Sequence, residues 1–223
     1  MKVLALDAAT EACSAALFDA GSVSERFEVI GRGHAGRLLP MADELLTERG
    51  VSLRELDAIA FGRGPGGFTG LRIAAGLAQG LAAGAGKPVL PVSNLAAVAA
   101  AAASAHGRTR VLVCMDARMG QVYWAAFDCS AASPQPLTRE LLSDPGAVEP
   151  PGAEMLYGAG HGFGAYPALG ERLAGRLYGV DGGALPRARE IAVIGAADFA
   201  AGAALAPAKG LPVYLRDDVV HRR

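Results

Sequence analysis

The chain has 223 residues, 52% of them hydrophobic and 19% charged, and its 21 basic and 22 acidic side chains leave a formal charge of −1. Such a composition excludes wholesale disorder and gives no whole-molecule field that would by itself capture nucleic acid or an acidic membrane. The length suits one large domain or two lobes of about a hundred residues each.

The chain opens with a short apolar run at 3–7 that reads as a buried strand. A polar turn at Thr10-Glu11 and a returning strand over 12–18 complete a hairpin. Asp7 interrupts that run before it reaches the length of a signal-peptide core. A first helix is predicted over 37–49, with Leu38, Ala42, Leu45 and Leu46 on one face, Asp43, Glu44 and Glu48 opposite, Pro40 in its first turn and Gly50 closing it. A strand near 57–62, a helix near 69–85, a strand at 88–92 and an alanine-rich helix near 94–105 follow, which makes an α/β lobe.

Residues 111–128 repeat the opening grammar. Asp7 to Asp19 and Asp116 to Asp128 have the same spacing, and at an offset of 109 Ala8/Ala117, Ala16/Ala125 and Phe18/Phe127 also match. A duplicated two-lobe architecture is expected. Beyond it, 133–151 is rich in proline and turn residues, with a strand expected at 154–158 and helices near 165–175 and 188–202. The longest unbroken apolar run, 95–103, falls far short of the roughly 20 residues that span a bilayer. Cys13, Cys114 and Cys129 lack CxxC spacing, which argues against a disulfide framework or zinc knuckle and suits a reducing compartment. A soluble, cytoplasmic protein without membrane association is expected.

The string Gly62-Arg63-Gly64-Pro65-Gly66-Gly67-Phe68-Thr69-Gly70-Leu71-Arg72 follows a strand and opens a helix, and it formally fits GxGxxG. No Asp or Glu occurs from Ala58 to Met115 to hold a ribose, and no GK[ST] follows, so the dinucleotide and Walker readings both fail. Two readings stay open. One is an anion-facing helix start at Gly64, Gly66, Gly67, Thr69 and Arg72; the other is a tight turn required by backbone geometry alone. The same interval carries Arg63, Arg72, Lys87, Arg108 and Arg110, either a basic patch for phosphate or an acidic partner, or ordinary surface charge.

Gly76, Gly80 and Gly84 recur every fourth residue along the second helix, each costing up to about 1 kcal/mol of helix stability relative to alanine. Close approach of another backbone would compensate. Asp7 and Asp116 stand at matching strand ends, where actin-like and sugar-kinase-like folds hold a metal-bound nucleotide, but the turns Asp7-Ala8-Ala9-Thr10 and Asp116-Ala117-Arg118-Met119 lack paired glycines. His34, His106, His161 and His221 show no short metal-ligand spacing.

Asp7 to Cys13, His34 with Arg37 to Met41, Gly62 to Arg72, Pro91 to Leu95, Asp116 to Gly120 with Val122-Tyr123, and Tyr214-Leu215-Arg216 together resemble the bacterial TsaB proteins nearly end to end. The resemblance implies a two-lobe actin-like fold of the sugar-kinase, Hsp70 and RNase H-like kind. Its lobes would span 1–106 and 107–223, the last residues returning to the first lobe. It also implies a role in making N6-threonylcarbamoyladenosine in tRNAs that read codons beginning with A. This chain would be the non-catalytic partner of the transferase TsaD, supporting docking of the ATPase TsaE, self-associating as a homodimer when alone and meeting tRNA through the complex.

No catalytic residue, metal or resident cofactor is then expected, with ATP or ADP placed at the complex interface. His34 is followed four residues on by Leu38, which leaves the HxxxH metal pair of TsaD incomplete. The expected association surface is Leu38, Met41, Ala42 and Leu45 of the first helix with Ile73, Gly76, Leu77, Gly80 and Leu81 of the second. Competing expectations are an actin-like ATPase or phosphotransferase and a zinc-dependent glycoprotease.

Overall fold

A computed structural model describes residues 1–216 of the chain; the end of the stretch expected to return to the first lobe, 217–223, lies outside the described residues, as does His221. β1 (Lys2–Asp7), β2 (Ala12–Asp19) and β3 (Ser22–Val29) form an antiparallel meander. α1 (His34–Arg49), β4 (Ala58–Gly64), α2 (Phe68–Ala85), β5 (Val89–Ser93) and α3 (Asn94–His106) follow. β4 and β5 add in parallel, giving the order β3-β2-β1-β4-β5.

The second sheet, ordered β11-β10-β6-β7-β8 with β9 also on β7, comprises β6 (Arg110–Asp116), β7 (Val122–Asp128), β8 (Gln135–Pro136), β9 (Leu141–Ser143), β10 (Leu156–Ala159) and β11 (Leu177–Asp181). The short helices α4 (His161–Ala165) and α5 (Pro167–Arg172) precede β11, and α6 (Ala188–Ala200) follows it. A duplicated hairpin, each copy leading into α/β units, gives the actin-like two-lobe architecture. No helix among the described residues is long and apolar enough to cross a membrane.

The inner layer is an exchange. α3, which ends the first α/β unit, packs on β6, β7 and β10, whereas α6 packs on β1, β2 and β4. One core therefore joins both sheets: Val3, Ala5 and Ala60 from the first, Val111, Val113 and Met115 from the second, and Leu95 to Ala99 with Ile191 to Ala196 between them. A helix buried on nearly every side needs apolar residues all round, which explains the alanine run of α3. α1 and α2 cover the other face of the first sheet over Leu4, Leu6, Ile59 and Phe61.

Several elements depart from the sequence expectation. α1 starts at His34, so Pro40 lies in its interior rather than its first turn. Pro40 and Gly36 are both exposed, which lets water take the Gly36 carbonyl that a proline cannot serve. β3 was not expected, because its residues are mostly polar. It is a half-buried edge strand whose Arg26 pairs with Glu44 and Glu48 and whose Glu28 receives Arg37 at 2.6 Å. Of the helix expected near 165–175 only Pro167–Arg172 is α-helical, as α5; Tyr166 separates it from α4, which ends at Ala165, and a 3-10 turn at Ala174–Arg176 follows it.

Candidate functional site

β1 ends at Asp7, which is fully buried. Asn94, the first residue of α3, donates its amide to Asp7 Oδ1 at 2.6 Å and accepts the Gly64 N–H on its own carbonyl at 2.8 Å. A side chain at Gly62 would overlap both Asp7 and Asn94. Burial pushes the Asp7 carboxyl up to about 7, against the opposing Asn94 hydrogen bond. Asp7 thus ties β1, β4 and α3 together beneath the cleft instead of facing it.

The glycine string packs on the first hairpin turn. Gly67 donates its N–H to the Ala9 carbonyl at 2.7 Å, a Cβ on Gly66 would come within 2.6 Å of that oxygen, and one on Gly70 would overlap the Ala8 carbonyl. Three glycines let the start of α2 lie flat on Ala8-Ala9, and the Gly67 N–H is spent on that contact.

In the second lobe Asp116 accepts the Tyr166 hydroxyl at 3.0 Å and the Arg118 N–H at 2.8 Å, with the Arg118 guanidinium 3.1 Å away. The two aspartates do not form a pair. Asp7 lies opposite Ser14 but Asp116 lies opposite Val122, so the second turn is one residue shorter. Because strand side chains alternate, a one-residue difference reverses faces: Val3 and Ala5 share the inner core with Val111, Val113 and Met115, and Asp116 is on the other side of its strand from these. The expectation that Asp7 and Asp116 occupy equivalent positions is corrected on that ground.

Between the lobes runs a cleft of about 570 Å³ lined by Thr10, Glu11, Arg32, His34, Thr69, Asp116, Arg118 and His161 among others. His34 Nε2 lies 3.0 Å from the Thr10 carbonyl. Burial drives the pKa of His161 down, against the fields of Glu11 and Asp116. Among the described residues no three His, Cys, Asp or Glu side chains are grouped to hold a metal ion.

Of the residues expected to face an anion, Gly66, Gly67 and Thr69 line this cleft, whereas Gly64 and Arg72 do not. Gly64 is buried, with its N–H committed to Asn94. Arg72 is turned outward onto Phe68 and Tyr214. The expected association surface divides likewise. Leu38, Met41, Ala42 and Leu45 are at most 1% exposed and belong to the chain's own core against the first sheet, so their inclusion in a partner face is corrected. Ile73, Leu77 and Leu81 are half-buried shoulders, and Gly76 and Gly80 are exposed with no atom within 4 Å of where a Cβ would sit.

Residue reading missed three contacts: the Asn94 bridge, the Tyr166–Asp116 bond, and the Arg63–Glu140 ion pair that joins the lobes at 2.9 Å. Each joins residues far apart in sequence, and none has a local spacing signature.

With this geometry in view, the chain is similar to three kinds of known protein. Residues 28–160 match the family model described as TsaD: tRNA N6-adenosine threonylcarbamoyltransferase. The tRNA threonylcarbamoyladenosine biosynthesis protein TsaB of Escherichia coli is 42% identical over all of this chain and 98% of its own length, and its Haemophilus influenzae counterpart is 36% identical over all of this chain and 97% of its own. The solved structure of YeaZ from Pseudomonas aeruginosa superposes with a TM-score of 0.87 at 40% identity, covering 96% of this chain and 99% of that one. A second Pseudomonas aeruginosa structure, described as similar to peptidase YeaZ, gives 0.88 at 41% identity over 96% of this chain and 99% of the other.

Proposed function

Because this chain belongs to the TsaB family of tRNA threonylcarbamoyladenosine biosynthesis proteins, we propose that it serves that pathway as a non-catalytic subunit that pairs with TsaD. The observation that carries this reading is the outer face of α2. Gly76, Gly80 and Gly84 form an exposed line that meets no atom of the chain beyond the backbone of their own helix, between the half-buried Ile73, Leu77 and Leu81. An exposed glycine line in a helix is destabilising unless another backbone packs against it.

The cleft supports the non-catalytic part of the proposal. Asp7 is committed to Asn94, so the carboxylate that an actin-like ATPase would turn toward a metal-bound nucleotide serves internal packing. In this reading the subunit requires no cofactor of its own, ATP or ADP binds at the interface with TsaD, TsaE docks on the assembled pair, tRNA is met through the complex, and the same α2 face pairs two copies when TsaD is absent.

Reconstituted tRNA modification with and without this chain tests the proposal, together with Gly76→Leu and Gly80→Leu variants. Product formed only when the chain is present, and lost with either leucine, is the expected result. Undiminished product on omission would exclude the subunit role. The open 570 Å³ cleft favours one second reading, an ATPase or phosphotransferase, for which steady ATP turnover by the isolated chain is the decisive measurement.

A further inference from the structure

Arg72 is the single charged residue of α2, and it is exposed one helical turn before Gly76 at the end of the glycine line. Its guanidinium carbon sits 3.7 Å from the centroid of the Phe68 ring and 5.7 Å from that of Tyr214, and its Nε donates to the Tyr214 hydroxyl at 3.0 Å. Tyr214 is itself fastened. The Val213 N–H donates to the Arg63 carbonyl at 2.7 Å, and Arg216 reaches the Ala117 carbonyl at 3.2 Å, so the segment spans both lobes. The two aromatic rings stand 5.2 Å apart at 39°.

One face and one nitrogen of the guanidinium are therefore fixed, while its two terminal nitrogens have no acceptor among the described residues. The sequence supplies no carboxylate from Ala58 to Met115, and Arg72 forms no ion pair among the described residues. An exposed arginine normally loses much of its binding energy to the cost of ordering a long side chain. A stacked and hydrogen-bonded one has already met that cost, and its terminal fork matches a carboxylate in two-pronged geometry.

We propose that Arg72 is the charged anchor of the α2 face, and that the protein partner lying along that face presents a carboxylate to it. The proposal rests on the association reading above. A protein carboxylate fits better than a nucleic-acid phosphate, because α2 offers no second cation, and the surface that continues from Arg72 is glycine, alanine and leucine. Tyr214 is then a positioning residue: it acts through Arg72, and links the carboxyl-terminal segment to the partner face.

The test measures the affinity of the full chain for TsaD at low and moderate salt, with Arg72→Glu, Arg72→Lys, Tyr214→Phe and Gly76→Leu, and with melting temperature as the check on folding. Arg72→Glu is expected to weaken pairing about ten- to a hundredfold and to remove most of its salt dependence. Arg72→Lys and Tyr214→Phe should each weaken it by a smaller factor with unchanged melting. A TsaD variant carrying a lysine in place of the facing carboxylate should restore pairing with Arg72→Glu. Should Arg72→Glu perturb folding, Arg72→Lys and Tyr214→Phe carry the test alone, and wild-type affinity in both would overturn the proposal. Wild-type pairing by Arg72→Glu alongside loss of pairing by Gly76→Leu would overturn the anchor and keep the association face, whereas wild-type pairing by both would remove the face as well. Intact pairing with weakened tRNA binding by the assembled complex would reassign Arg72 to phosphate and likewise overturn the proposal.

Discussion

Asn94 and Asp7 are 87 residues apart in sequence and 2.6 Å apart in space. The bond joins the first strand to the start of the helix that crosses to the second sheet, and with Gly64 on the other side of the same amide it links β1, β4 and α3 under the cleft. Both groups are fully buried, so their polar atoms depend on each other.

Stability should carry the signature of Asp7. Its carboxyl titrates near 7 in the folded protein against an ordinary 3.8, so between about pH 4 and pH 7 the folded chain holds a proton that the unfolded chain has released. Stability is then highest below that window and falls as pH rises through it, by on the order of 4 kcal/mol at full ionisation. Urea denaturation from pH 4.5 to 8 should show this decline in the natural chain and a much flatter profile in Asp7→Asn. Parallel profiles for the two proteins would mean that the carboxyl is charged throughout.

Glycines of α2 should respond with opposite sign to the same substitution. Gly76→Ala and Gly80→Ala place a methyl group in open space and should each raise the stability of the isolated chain by up to about 1 kcal/mol, while weakening association. Gly70→Ala drives its methyl into the Ala8 carbonyl and should cost about 2 kcal/mol or more. Chemical denaturation of the three variants measures both effects, and a destabilised Gly76→Ala would show that the α2 face is already covered.

Arg63 and Glu140 should couple across the lobes. Their side chains are 25% and 14% exposed and meet through two hydrogen bonds, at 2.9 and 3.1 Å. A double-mutant cycle with alanine at each position should give a coupling of about 1–3 kcal/mol, above that of an exposed pair. Additive losses would mean that the lobes are held by the α3 and α6 core alone.

The second lobe has a built-in reporter. Trp124, the single tryptophan, is 5% exposed and donates to the Ser143 hydroxyl at 2.9 Å, so its fluorescence follows β7 and β9. Since one core spans both sheets, Trp124 fluorescence and far-ultraviolet circular dichroism should unfold in a single coincident transition. Two separated transitions would show lobes that fold independently.

Local pattern made much of the fold legible. Short apolar runs on either side of a polar turn gave the two hairpins, apolar spacing the helices α1, α2, α3 and α6, and the glycine string the strand-to-helix turn of β4 and α2, because each of these signals lies within a few residues. β3 is not legible in the sequence because an edge strand is stabilised by ion pairs to a helix that follows it, and α1 begins earlier than the expected residue 37 because Pro40, which suits a first turn, is tolerated in the helix interior on its exposed side.

The sequence by itself determined the fold class, the loss of phosphate-turn glycines at Asp7 and Asp116, and the unusual glycine line of α2, since composition and spacing are properties of the chain alone. Only the tertiary structure decided which way those groups point. A one-residue difference between two turns set Asp7 and Asp116 on different faces. Packing of α1 on the outer face of the first sheet turned Leu38, Met41, Ala42 and Leu45 into core, while α2 beside it kept Gly76 and Gly80 outside. Packing Phe68 against Tyr214 aimed Arg72 away from the cleft. Burial and direction arise from contacts between residues distant in sequence, and no local spacing encodes them.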